Sequence, residues 1–257
     1  MFDRRVAVVT GAGSGIGRAL TVALTALGAR VAASDVNAAG LAETVALTGA
    51  HGYEVDVSDR DAVYAHAEAV RTDLGPASFV INNAGVALKG TVSEMTDEDL
   101  RWVLDTNFWG VVHGTRAFLP QLTATRGHLT NISSVFGLIG VPTQSAYNAA
   151  KFAVRGFTEA IRQELHPQVG VTCVHPGGIR TNIARNGRTS NPAEADDFAR
   201  ALDRVARTTP DQAAATIING IRRNRPRVLI GADAHAIDRL ARLLGPAYQP
   251  LTRRLFR

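Results

Sequence analysis

The chain has 257 residues, 46% hydrophobic and 20% charged, a balance that suits a folded domain with a sizeable core and excludes a largely disordered chain. Its formal charge of +5 is unevenly placed: residues 218–257 hold nine arginines against Asp233 and Asp238, a tail of +7 that leaves −2 elsewhere. Local basicity without interleaved aromatics argues against nucleic acid as a partner. From the N-terminus, Met1 to Arg5 leads straight into a strand-like run, without the apolar segment and cleavage site of a signal peptide. No stretch reaches the roughly 18 apolar residues of a membrane span, and the single cysteine, Cys173, cannot form an internal disulfide. A soluble, cytoplasmic protein is expected, with Cys173 read as strand core in Val171-Thr172-Cys173-Val174 rather than as a reactive thiol.

Short β-branched runs alternate with segments of helical period, the signature of repeated βα units around a parallel sheet. Strands are expected near 5–10, 29–34, 52–57, 78–82, 127–132, 169–174 and 227–231. Helices fit near 15–28, 37–47, 59–73, 97–123, 144–165 and 210–224. The expectation is one doubly wound α/β domain over residues 1–231, its seven-stranded, mostly parallel sheet covered on both faces, followed by a basic amphipathic extension at 232–257. Ligands of such sheets bind beyond the carboxyl ends of the strands, so the residues just after each strand are the ones to read for chemistry.

The first strand runs into Thr10-Gly11-Ala12-Gly13-Ser14-Gly15-Ile16-Gly17. Ile16 breaks the G-x-G-x-x-G pattern, leaving G-x-x-x-G-x-G. A glycine turn before a helix lets backbone N–H groups and the positive end of the helix dipole approach a pyrophosphate; the alternative is simply a tight turn. The second strand ends on Asp35, 24 residues after Gly11, where a carboxylate accepts hydrogen bonds from the adenosine ribose and repels a 2′-phosphate. Ser14, Ser34 and Val36 are not basic, which favours NAD over NADP. As an alternative, Asp35 is a helix cap.

Of the 28 basic side chains only Lys89 and Lys151 are lysines, and Lys151 stands four residues after Tyr147. On a helix, residues i and i+4 share a face, and composition alone predicts only about 0.03 such Tyr–Lys pairs in this chain. A cation beside a phenol favours the phenolate, which makes Tyr147 a candidate acid/base.

With these motifs the chain resembles the short-chain dehydrogenase/reductase family over roughly residues 4–231. Thr10 to Gly17 looks like its cofactor turn, Asp56-Val57 like its adenine contact, Asn82-Asn83-Ala84-Gly85 like its fourth-strand motif and Tyr147 to Lys151 like its active-site helix. Pro176-Gly177, with Ile179 and Thr181, resembles the segment that grips the nicotinamide carboxamide. The resemblance implies a Rossmann-type fold, a nicotinamide cofactor, a homodimer or homotetramer through the helices near 97–123 and 144–165, and a catalytic group of Asn107, Ser134, Tyr147 and Lys151. In that group Ser134, preferred to Ser133, orients the substrate oxygen, Tyr147 moves its proton, Lys151 favours the phenolate and reaches the nicotinamide ribose, and Asn107 holds a water in a locally kinked helix.

The seven histidines are scattered, so no metal is expected; His175 either lines the cleft or is structural. Val86-Ala87-Leu88 and Val135 to Val141 should border the cleft, which points to an apolar alcohol or ketone. Residues 182–209 would form a lid, Phe198, Leu202 and Val205 sharing one helical face that either closes over substrate or packs on the body. For the tail, with its amphipathic run Ile237, Leu240, Ala241 and Leu244 before Arg253 to Arg257, the readings are an oligomer contact, a solvated end and a peripheral membrane anchor. Beside the oxidoreductase stand two other functions: an epimerase or dehydratase, for which the chain is short, and an NAD(H) sensor without turnover.

Overall fold

The computed structural model describes residues 1–255; Phe256 and Arg257, part of the basic end, lie outside the described residues. In the first half, strand β1 (Val6–Thr10), helix α1 (Gly15–Ala26), β2 (Arg30–Asp35), α2 (Ala38–Thr48), β3 (His51–Glu54), α3 (Arg60–Leu74) and β4 (Ala77–Asn82) follow one another. A two-residue strand β5 (Leu88–Lys89) precedes α4 (Asp97–Leu104), a π-helical turn (Asp105–Trp109) and α5 (Gly110–Thr125). Next come β6 (His128–Ile132), α6 (Ser145–Glu164) and β7 (Gly170–Pro176), then a short β8 (Arg188–Thr189) and α7 (Ala195–Val205). The chain closes with α8 (Pro210–Arg222), β9 (Arg227–Ile230), α9 (Ala232–Leu244) and α10 (Gln249–Leu255).

Seven strands form one sheet in the order β3-β2-β1-β4-β6-β7-β9, with every pairing parallel. The direction of winding reverses between β1 and β4, which opens a crevice at their carboxyl ends. Because helices cover both faces, the central strands are buried throughout their length: β1, β4 and β6 carry no exposed residue. On one face Val9, Phe79, Ile81 and Val174 pack with Leu20 and Leu24 of α1 and Ile217 of α8. On the other, Val8, Val80, Leu129 and Val171 meet α3, α5 and α6 through Val70, Phe118 and Ile161. Cys173 lies on β7 and is 1% exposed; burial pushes its thiol up to about 12.

Local chemistry sets most element ends. Asn37 accepts from the N–H of Gly40 to start α2, and Gly49, at φ 70°, ends it. Thr209 and Gln212 form a reciprocal capping box around Pro210 at the start of α8. The third strand stops at Glu54 rather than reaching 57 as expected, because Asp56 turns the chain: its carboxylate accepts from the N–H and hydroxyl of Ser58. The single helix expected at 97–123 is two helices joined by the π turn at Asn107. The sequence reading contains no counterpart of β5 and β8, which pair in parallel as a second, two-stranded sheet. Their ladder is too short to leave a periodic pattern.

Candidate active site

The glycine turn and the end of β4 interlock. Thr10 Oγ1 accepts from the backbone N–H groups of Asn83 and Ala84, each at 3.0 Å, while Asn83 Nδ2 donates to the carbonyls of Thr10 and Gly11. Gly11 has φ +66°, and a Cβ there would lie 2.8 Å from Ala84 Cα; one on Gly17 would run into the Gly11 carbonyl. Gly15, at φ +51°, leaves room for Thr181, whose Cγ2 would be 2.9 Å from a Cβ at that position. Thus Thr10, Gly11, Gly15, Gly17, Asn83, Ala84 and Thr181 come together at the strand ends. Ser14 is the N-cap of α1 but its side chain makes no capping bond, so the first-turn N–H groups stand ready for an anion. This cradle fits the pyrophosphate of a nicotinamide dinucleotide. Ile16, partly buried, packs its side chain against the core.

Asp35 Oδ2 accepts from Gly13 N–H at 2.8 Å and Oδ1 from Asn37 N–H at 2.8 Å. The cap of α2 is therefore Asn37, not Asp35, and the Asp35 carboxylate stands directly against the glycine turn. Arg18 also reaches the turn, but its guanidinium is held by Glu43 at 2.7 Å and by the carbonyls of Gly13 and Gly40. Beyond β3, Asp56 is engaged by Ser58, and Val57, buried, packs where a Cβ on Gly110 would strike it.

On the other side of the crevice, α6 carries Tyr147 and Lys151 on one face. Ser134 follows β6, its hydroxyl accepting from Phe136 N–H at 3.1 Å, whereas Ser133 donates to the Lys151 carbonyl at 2.8 Å and belongs to the scaffold. The Ser134 hydroxyl also engages the Tyr147 phenol and favours its ionised form, but burial dominates and pushes Tyr147 up to about 12. Lys151, 3% exposed, donates from Nζ to the Ile132 carbonyl at 3.1 Å, and burial brings its ammonium down to about 8. The ammonium lies 5.7 Å from the centroid of the Tyr147 ring. Burial, not the neighbouring cation, thus sets the direction of the Tyr147 shift in this arrangement, opposite to the lowering expected from Lys151.

Asn107 is fully buried in the π turn. Its Oδ1 accepts from Val86 N–H and its Nδ2 donates to Val86 O, both at 2.8 Å. The side chain thereby ties the π turn to the strand-end segment. A Cβ on Gly85 would lie 2.9 Å from Asn107 Oδ1 and 3.4 Å from Lys151 Nζ, so the glycine lets the three residues meet. Among the described residues no group of His, Cys, Asp or Glu is arranged to hold a metal ion, and no helix is long and apolar enough to cross a membrane.

Of the two readings of His175, the structural one holds, and its partner is what the sequence did not show. His175 is wholly buried, and its Nδ1 lies 2.9 Å from the carbonyl of Ser134, so it steadies the residue that bears the hydroxyl rather than lining the cleft. Only its position, one residue before Pro176, hinted at this. Of the apolar residues expected to border the cleft, Ala87, Leu88, Val135, Leu138, Ile139 and Val141 are buried, while Val86 and Phe136 stay partly exposed. Phe136 meets the Tyr147 ring edge-on at 6.1 Å. In the lid, Phe198 and Leu202 pack with Ala87, Ile183 and Ala199, but Val205 is 58% exposed because α7 ends there and the chain turns away. Lys89 is paired with Glu194 at 2.5 Å.

A family model described as short chain dehydrogenase matches residues 5–192. The chain is 52% identical to SadH of Mycobacterium tuberculosis, a protein provisionally named an oxidoreductase, over 97% of this chain and 94% of that one. A short-chain dehydrogenase/reductase from Burkholderia phymatum, solved in complex with NAD, is 32% identical and superposes with a TM-score of 0.88 over 95% of this chain and 94% of its own. Levodione reductase is 26% identical, with a TM-score of 0.81 over 92% of this chain and 99% of its own. The interlocked glycine turn, the seven-stranded parallel sheet and the Tyr147–Lys151 helix agree with these likenesses, and the chain belongs to the short-chain dehydrogenase/reductase family of oxidoreductases.

Proposed function

We propose that this chain is an NAD(H)-dependent oxidoreductase that interconverts an apolar secondary alcohol and its ketone. The observation that carries the reading is the convergence of Ser134, Tyr147 and the buried Lys151 at the strand ends, across the crevice from the glycine turn. When bound, the nicotinamide cofactor accepts or delivers the hydride. Thr10 to Gly17 would cradle its pyrophosphate, Asp35 its adenosine ribose, Asp56 and Val57 its adenine, and Asn83 to Gly85 with Pro176, Gly177, Ile179 and Thr181 its nicotinamide end.

The chain's own groups handle the proton. Ser134 orients the substrate oxygen, and Tyr147, with its phenol held near 12, is protonated at neutral pH and gives its proton to that oxygen in the direction of reduction. In the reverse direction the phenol must first ionise, and Lys151 supplies the nearby positive charge for that form. Asn107 fixes Val86, and with it the wall of the cleft.

Asp35 against the turn, with Arg18 already paired to Glu43, supports NAD over NADP, since a 2′-phosphate would meet an uncompensated carboxylate. The partly exposed Val86 and Phe136, and the pairing of Lys89 with Glu194, support an apolar, uncharged substrate. The same proposal has copies of the chain associate through the helices near 97–123 and 144–165 as a homodimer or homotetramer, supported by Trp109 of the π turn and Phe152 of α6, 47% and 40% exposed; a monomeric mass by light scattering would remove that part.

The test is an absorbance assay at 340 nm with NAD(H) and NADP(H) in parallel, against apolar secondary alcohols and ketones, with Tyr147→Phe as control. Turnover with NAD(H) that vanishes in the variant is expected. Turnover of polyhydroxylated alcohols alone would overturn the substrate class, and NADH binding without turnover on a wide panel would overturn the enzyme.

A further inference from the structure

Beyond the residues the family model matches, α9 sends one exposed side chain onto the segment that follows β7. Asp233, in the first turn of α9, accepts from the N–H of Gly178 through Oδ2 at 2.6 Å. Gly178 belongs to the segment after β7 that holds Pro176, Gly177, Ile179 and Thr181. Two glycines make room for this carboxylate: a Cβ on Gly177 or on Gly231, the latter at φ +94°, would collide with it. Asp233 makes no ion pair among the described residues. Its charge is served by the backbone N–H of Gly178 and by its place at the N-terminal end of α9, where a carboxylate is favoured.

The segment it holds is fixed on three sides. Gly177 N–H donates to Ile230 O at 2.9 Å. Thr208, on the return leg of the lid, donates to Gly178 O at 3.3 Å and accepts from Arg180 N–H at 2.9 Å. At its far end Thr181 abuts Gly15 of the glycine turn. Without Asp233, the N–H of Gly178 loses its partner within the protein, and the segment keeps, of these side-chain anchors, only that of Arg180 on the Ala206 carbonyl.

We infer that Asp233 is a positioning residue for cofactor binding: its carboxylate fixes the backbone of Gly177 and Gly178 so that the segment through Thr181 is held in shape against the nicotinamide end. The inference rests on the proposed reading that this segment faces the nicotinamide. It makes α9 part of the cofactor site rather than an appendage to the domain.

Asp233→Asn keeps an oxygen acceptor of the same shape, and Asp233→Ala removes it. Three quantities separate the possibilities: the NADH dissociation constant by fluorescence titration, the hydrogen exchange of the Gly178 amide in the protein without cofactor, and the melting temperature. The expected result is NADH binding weakened about tenfold in the alanine variant and within about twofold of the parent in the asparagine variant, the range a lost charge-assisted hydrogen bond spans. Gly178 exchange should quicken in the alanine variant alone. The inference is overturned if the parent binds NADH and the alanine variant binds it equally well, or if asparagine is as poor as alanine. A parent that fails to bind NADH refutes the cofactor reading, while the Gly178 exchange still decides the contact. Should the alanine variant not fold, Asp233→Glu displaces the oxygen by a methylene; weakened NADH binding there supports the inference, and unchanged binding overturns it.

Discussion

The two ends of the crevice are built by different means. The glycine-turn end, from β1 to β2, is packed against backbone: Gly11, Gly15 and Gly17 sit where no side chain fits, and the Thr10 hydroxyl and the Asn83 amide each bond to the main chain at the other strand's end, across β1 and β4. The lid end, from Gly178 to Val205, is fixed by scattered side chains, with Lys89 on Glu194, Arg185 on Asp203 and Arg188 on Asp99. Backbone packing tolerates almost no substitution, whereas exposed ion pairs contribute little each and exchange partners readily. The first construction suits a ligand that never varies, the second one that differs between relatives.

The helix α6, which carries the proposed acid/base group and lies between these ends, should give the largest effect. Tyr147→Phe removes the acid/base group while leaving the ring on Phe136, and a loss of turnover of about 10³-fold is expected, with NADH binding by fluorescence little changed. Loss of binding as large as the loss of turnover would place Tyr147 in the scaffold instead. The ionisation adds a pH signature: with the phenol near 12, alcohol oxidation should rise with pH across 7 to 9, while ketone reduction stays level from 6 to 8. Initial rates in both directions check this.

Next comes acid. His66, His128 and His175 are held neutral by burial, each down to about 4. Their ordinary value is near 6.5, so the unfolded chain binds more protons between those limits. The stability they carry is whole above about pH 6.5 and is lost as pH falls toward 4, at up to about 1.4 kcal/mol per unit for each histidine. Denaturant unfolding at pH 7.5 and 5.0 should show a drop of a few kcal/mol; equal midpoints at the two pH values would contradict it. At the glycine-turn end, Gly17→Ala forces a methyl against the Gly11 carbonyl and should cost about 1–3 kcal/mol of stability, read by the same denaturant curves. At the lid end, Lys89→Met should change stability by less than about 1 kcal/mol, as partly exposed pairs do, and move the substrate KM more than kcat. A result in which Lys89→Met costs more stability than Gly17→Ala would reverse the contrast.

The same division decides what the sequence reveals. The glycine turn, Asp35 and the Tyr147–Lys151 spacing are local patterns, each dictated by what a turn or helix face permits, and the strand and helix order followed from periodicity. Features made by distant residues left no local trace: His175 beneath the Ser134 carbonyl, Asp233 on Gly178, and β5 on β8 all join segments tens of residues apart. Asn107 lies between these cases. Its interruption of a helical pattern was visible in the sequence, but its partner Val86, through which it holds the strand-end segment, was not. Val205 misled for a related reason: it keeps the helical spacing as the last residue of α7, but the packing partners that cover Phe198 do not extend to it.

The lone thiol on β7 has a practical consequence. Cys173 is shut between the sheet and α6 with its pKa near 12, so alkylating reagents find neither access nor thiolate while the fold is intact. Labelling of the chain therefore times the opening of its central sheet, without any engineered probe, and a cofactor that closes the crevice should slow that clock.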